Sequence, residues 1–103
     1  MSITVVAKFT VKDTVEVWAY IYYQGTLVDP TGSITIDIYD PSGTKQVNGA
    51  AMTKSATGIY YYQYHKGATA AMATLKWRGS VYSVDGAGDL AVTSETKFAF
   101  EVE

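Results

Sequence analysis

The chain has 103 residues and a formal net charge of −2, with 48% hydrophobic residues, 17% charged residues and no cysteine. That is one domain, long enough to bury a core and too short for two. The hydrophobic share excludes a disordered chain, and the missing thiols exclude disulfides, a thiolate nucleophile and zinc–thiolate sites.

The seven Lys and one Arg are scattered along the sequence. Non-specific nucleic-acid binding needs clustered cations, so nucleic acid is not an expected partner. Nine Tyr and two Trp accompany this sparse charge. Much of the surface is then Thr, Ser, Gly and Tyr, a composition suited to contact with other protein. Residues 1–8 lack the charged start and apolar run of a secretory signal. No apolar stretch approaches the ~20 residues of a membrane helix. The expectation is cytoplasmic synthesis, no membrane partner, and retention in the cell or departure as part of an assembly.

In chain order, Ile3 to Val11 is β-branched and alternating, an edge strand with Lys8 outward. Lys12-Asp13-Thr14 turns the chain. From Val15 to Gln24, Val15, Val17, Ala19 and Ile21 form a core face, and Glu16, Trp18, Tyr20, Tyr22 and Gln24 form the other. That second face carries large aromatics either as cross-strand cover or as an exposed docking stripe. Residues 24–32 are connection and turn, marked by Gly25 and Asp29-Pro30. Ile34, Ile36 and Ile38 point inward from the next strand, with Thr35, Asp37 and Tyr39 outward. Asp40-Pro41-Ser42-Gly43 has the chemistry of a tight turn. Lys45-Gln46-Val47 and Ala50-Ala51-Met52-Thr53 are short edge-strand candidates broken by Asn48-Gly49.

Gly58 then leads into a run in which Tyr60, Tyr62 and Tyr64 share one face and Ile59, Tyr61, Gln63 and His65 the other. This is a central strand of the core. His65 to Ala70 is a loop. Ala73, Leu75 and Trp77 face inward on a further strand, with Trp77 the aromatic centre of the core. Gly79-Ser80 permits a kink or bulge, after which residues 81–84 continue the strand or form a hairpin arm. Residues 85–89 turn, and the last strand runs from about Thr93 to Val102, with Phe98, Phe100 and Val102 inward. About seven strands with turn signals every ~10–15 residues predict an immunoglobulin-like antiparallel β-sandwich in a single domain. The alternative is a small antiparallel barrel.

Constellations that carry chemistry are sparse. The single histidine, His65, has no pattern of metal partners and no Cys or elbow Ser beside it. There is no Gly-x-Ser-x-Gly, no phosphate-binding glycine loop before a helix and no His-Glu-x-x-His. Asp29, Asp37, Asp40, Asp85 and Asp89 offer oxygens of the kind calcium takes, but Asp-Pro and Asp-Gly are also ordinary turn pairs. No enzyme activity and no cofactor are expected. The aromatic residues suit either protein contact or stacking on a sugar ring.

A family pattern accumulates along the chain. Its pieces are Val15-Glu16-Val17-Trp18-Ala19-Tyr20, Gly25-Thr26-Leu27-Val28-Asp29-Pro30 and the run Ile34 to Gly43. To these are added Thr57-Gly58-Ile59-Tyr60-Tyr61-Tyr62, Leu75-Lys76-Trp77-Arg78-Gly79 and the closing run Glu95 to Val102. In order and spacing the chain resembles small immunoglobulin-like proteins of bacteriophage, archaeal-virus and prophage structural genes, in the head–tail or tail module. One departure is that Ala70 to Thr74 stands where that family has a Gly-x-Trp lead-in to the penultimate strand. The resemblance implies a non-enzymatic structural or interaction role with other protein subunits, of itself or of a virion, as partners. The expected contact surface is Trp18, Tyr20 and Tyr22, adjoined by Tyr39 and Tyr61, with exposed edge strands adding pairing. The alternative function is a carbohydrate-binding or adhesive module with a glycan as ligand.

Overall fold

The computed structural model describes residues 2–11, 14–65, 76–85 and 92–101, and for residues 8–11, 65, 92 and 101 the backbone alone. The expected turn at Lys12-Asp13, the loop after His65, the inward Ala73 and Leu75, the Ala70–Thr74 departure, the loop through Asp89 and the inward Val102 lie outside the described residues. Nine strands are described: β1 (Ser2–Val11), β2 (Thr14–Tyr23), β3 (Thr26–Leu27), β4 (Ile34–Tyr39), β5 (Lys45–Ala51), β6 (Thr53–Ala56), β7 (Ile59–His65), β8 (Lys76–Asp85) and β9 (Val92–Glu101). All pair antiparallel, in the orders β1-β2-β7-β6 and β5-β4-β8-β9, with β3 added to β2. Laid against the immunoglobulin fold, these are the A-B-E-D and C′-C-F-G sheets. The protein is an immunoglobulin-like antiparallel β-sandwich with two more strands than the sequence pattern suggests.

The period of two decides what goes inside. From β2, Val15, Val17, Ala19 and Ile21 are all fully buried, and from β4, Ile36 and Ile38 are too. Small and branched side chains suffice on β2 because its neighbour β7 supplies bulk. Tyr64, Tyr62 and Tyr60 stand beside Val15, Val17 and Ala19 and pack against the same core. Trp77 of β8, fully buried, crosses to the other sheet. Its ring lies 5.8 Å from Tyr64 and 6.0 Å from Phe100.

The extra strands come from two local devices. Gln24 and Gly25 have φ of 51° and 80° between the paired Tyr23 and Thr26. Positive φ at both central residues is what a two-residue hairpin of type I′ requires, so the connection begins with a strand, β3. The second device is a change of sheet. Asn48-Gly49 does not break β5, as the sequence suggests, but forms a bulge in it, held by a 2.6 Å bond from the Gly49 N–H to the Asp37 carboxylate. The true break is Met52. This buried residue donates its N–H to Ile34 C=O at 3.1 Å, and from the next residue the chain belongs to the other sheet as β6.

β8 runs unbroken through Gly79, with no irregularity against β4 or β9. The glycine makes room rather than a kink. A Cβ there would lie 2.4 Å from the Phe98 ring and 2.6 Å from the Asp37 carbonyl oxygen. Gly79→Ala is therefore expected to cost about 1–3 kcal/mol, because the backbone neighbour cannot move aside as a side-chain tip can. Urea unfolding should show a lower midpoint with an unchanged slope. An unchanged midpoint would mean that the Phe98 ring does not rest on that glycine.

Candidate functional site: two unlike outer faces

Each sheet has an outer face, and the two differ in chemistry. On the β1-β2-β7 face the register sets Val6, Trp18 and Tyr61 in one row, Thr4, Tyr20 and Ile59 in the next, and Ser2, Tyr22 and Leu27 in the last. Trp18, Tyr20, Tyr22 and Tyr61 are half-buried, because each ring leans on its cross-strand neighbours. Trp18 and Tyr61 are in ring contact at 5.1 Å, tilted by 31°. Glu16 anchors the end of this patch. It accepts the Trp18 indole N–H at 2.6 Å and the Gln63 side-chain amide at 3.0 Å. Val6 is 41% exposed.

Four of the five residues expected to form a contact surface thus share one face. Tyr39 does not join them. It stands on the outer face of the other sheet, beside Arg78 and Lys45, because β4 belongs to that sheet. Its ring lies 5.3 Å below the Lys45 ammonium.

That second face mixes cations with acids: Asp37 and Glu95 stand on it, and Glu101 is opposite Lys76 in the register. Lys45, Lys76, Arg78 and Lys97 come from β5, β8 and β9 and are far apart in sequence, yet one sheet collects them. An open concavity of ≈ 770 Å³ lies there. Ser80 lies in the row between those of Tyr39 and Tyr82, and Ala99 shares the Tyr39 row on the far side of Arg78. Glu95 stands opposite Tyr82 in the register, and its carboxylate beside the phenol holds that phenol above its ordinary range. Asp37 is buried and faces Lys45 at 3.5 Å. Lys76, Arg78 and Lys97 form no ion pair among the described residues.

The aspartates considered for calcium serve the loops. Asp29 accepts Lys54 Nζ at 2.6 Å, the Gly58 N–H at 2.8 Å and the Tyr60 hydroxyl at 3.0 Å, which ties the β3–β4 connection to the β6–β7 hairpin. At Gly58 φ is +73°, and a Cβ would lie 2.8 Å from Val28 N, so glycine is required for that approach. Asp40 takes the Ser42 hydroxyl at 2.6 Å, the Thr44 N–H at 2.9 Å and the Ser42 N–H at 3.0 Å. Asp85 takes the Thr31 N–H and hydroxyl, both at 2.9 Å. No cluster of three or more acidic or histidine side chains placed to hold a metal occurs among the described residues. Among the described residues no helix is long and apolar enough to cross a membrane. His65 ends β7 opposite Thr14.

No protein-family model matches the chain, and neither a curated protein nor a solved structure matches it.

These hydrogen bonds set the response to acid. The Ser42 hydroxyl first, and the Thr44 and Ser42 amides and Gln46 after it, hold Asp40 down at about 2. Lys54 and the Gly58 amide lower Asp29, and the Thr31 amide and hydroxyl lower Asp85. A carboxylate depressed in the folded state contributes stability above its unfolded value of about 4 and loses it as pH falls through the folded value. For Asp40 the window is between about 4 and about 2. Asp40→Asn should therefore be less stable near neutral pH yet lose less on acidification, read as urea midpoints at about pH 7 and about pH 2. Parallel losses in the variant and the parent protein would remove Asp40 from the account.

Proposed function

We propose that the protein is a non-enzymatic structural component of a virus or prophage head–tail or tail assembly, acting through surface contacts with other protein subunits. The observation that carries the reading is the β1-β2-β7 outer face. There Trp18, Tyr20, Tyr22 and Tyr61 form one contiguous patch that the core does not need. Aromatic side chains offer large, rigid contact area and are enriched among residues that dominate binding energy. The family resemblance supplies the setting, and blunting at three of the four sheet edges, all but the ten-residue β9, supports the choice of a face. β6 has four residues, β5 is bulged, and on β1 the Ile3 carbonyl accepts the Thr96 hydroxyl at 3.1 Å. Short, bulged or covered edges resist strand addition.

Replacing Trp18 and Tyr20 by Ser should weaken association with the assembly partner by about 2 kcal/mol or more. The fold should persist, as read by circular dichroism and a cooperative urea transition. Global unfolding of this variant would make the patch part of the core and remove the proposal. A carbohydrate-binding role would use the same outward rings. It predicts glycan binding by the isolated monomer, lost on the same substitution, and silence across a broad glycan panel would exclude it.

A further inference from the structure

The chain has one asparagine, Asn48, and glycine follows it. Both residues are exposed in the bulge of β5, an edge strand. An asparagine before glycine is chemically labile. Glycine has no side chain to shield its nitrogen, so that nitrogen can close a five-membered ring on the asparagine side chain. We infer that Asn48 is a modification site, converted by deamidation to aspartate and isoaspartate, and that Asp37 and Lys45 hold it unreactive in the folded chain.

The reaction needs water as its co-reactant and no enzyme. The Gly49 nitrogen gives up its proton and bonds to Asn48 Cγ. The bond from Cγ to the side-chain nitrogen breaks, and that nitrogen leaves as ammonia, carrying the displaced proton. Water then opens the ring at either carbonyl. One opening gives aspartate. The other leaves the main chain running through Cγ and gives isoaspartate. The exposure of Asn48 admits the water.

The geometry opposes the first step. The attacking nitrogen must be without its proton, and the Gly49 N–H donates to Asp37 Oδ1 at 2.6 Å. A carboxylate bonded to that proton favours the protonated amide. Ring closure also turns the Gly49 nitrogen towards the Asn48 side chain, out of the strand. Asp37 holds the nitrogen against that turn, and Lys45 Nζ holds Asn48 Oδ1 at 3.4 Å. Asp37 Oδ2 faces the same ammonium at 3.5 Å, so one buried carboxylate steadies both halves of the dipeptide. At Gly49 φ is 62°, a conformation glycine adopts without steric cost, which is why the labile pair occurs at this bulge. Reaction then proceeds from the locally opened bulge, and its rate follows the open population. Each conversion is one-way. It adds a carboxylate that competes with Asp37 for Lys45. Isoaspartate also lengthens the main chain by one carbon just before Ala50 and Ala51, which pair with Ile36 and Thr35. An edge that the bulge blunts is thereby loosened.

The test incubates the full chain, folded or unfolded in urea, in mildly alkaline buffer. Mass spectrometry of the peptide around Asn48 reads loss of the amide and separates the two products. The folded parent protein should convert at least about tenfold more slowly than the unfolded chain. Asp37→Asn, which removes the charge and keeps the shape, should recover much of that difference while still folded. Lys45→Met should recover part of it, and this half-exposed position carries the test if Asp37→Asn does not fold. Val17→Ala, a core change in the other sheet, should stay near the parent rate. Equal acceleration by Val17→Ala and Asp37→Asn would overturn the inference, because the rate would then follow overall stability. Parent rates in both Asp37→Asn and Lys45→Met would overturn it as well. So would a folded parent that converts as fast as the unfolded chain, and one that converts faster would make Asp37 the base that promotes the reaction.

Discussion

The structure depends on how the gap between the two sheets is filled. Stacked sheets stand about 10 Å apart, and that space must be packed to solid density. In antibody domains a disulfide between the second and sixth strands clamps the layers, but this chain has no cysteine. Trp77, on the strand equivalent to F, spans the gap instead and meets Tyr64 across it. A large ring there, with Tyr60 and Tyr62 alongside, leaves room only for small or branched partners. That is why β2 turns Val15, Val17, Ala19 and Ile21 inward, all without exposed surface. The same volume rule accounts for Gly79. The Phe98 ring occupies the place where its side chain would be.

Once small residues on β2 complete the core, the bulk of that strand is free to face outward. Trp18, Tyr20 and Tyr22 occupy the alternate positions of the same ten-residue strand. They gain cover from Val6, Tyr61 and Leu27 but no place in the core. The outward aromatics and the inward aliphatics are two sides of one constraint, fixed by register, because a shift of one residue would exchange them. The paired rows of β1, β2 and β7 hold that register over six residues from Val15 to Tyr20.

Much of the fold is legible in the sequence because it is written locally. Alternation places the inward residues of β2, β4 and β7 correctly, and Asp40-Pro41-Ser42-Gly43 closes its hairpin with Gly43 N–H to Asp40 C=O at 3.0 Å. What escapes a local reading is set by distant partners. Asn48-Gly49 looks like a strand break, but Asp37, twelve residues away, stabilises it as a bulge, and the break falls at an unremarkable methionine. Tyr39 resembles the other outward tyrosines, yet only the sheet assignment of β4 shows that it faces the opposite way. The four cations of the β4-β8-β9 face are dispersed in sequence and become a patch only when β5, β8 and β9 lie in one sheet. Asp29 reads as turn chemistry, and its reach to Lys54, Gly58 and Tyr60 spans 25 to 31 residues.

This division of labour has a consequence for how the molecule can change. Substitutions on the inner face act on the core, where removing Trp77 would leave a void costing about 3–5 kcal/mol. Substitutions at Trp18 or Tyr20 fall on the outer face of β2, away from the core face of that strand, so their effects on stability should largely add to core effects, whereas Arg78 and Lys97 line a concavity with Phe98, which also packs on the core. The faces are also independent of each other. The Trp18 ring rests on Tyr61 of β7, and Arg78 stands between Tyr39 and Ala99 in the other sheet. A rigid sandwich with two unlike and separately adjustable faces can gain or lose a directional contact without refolding.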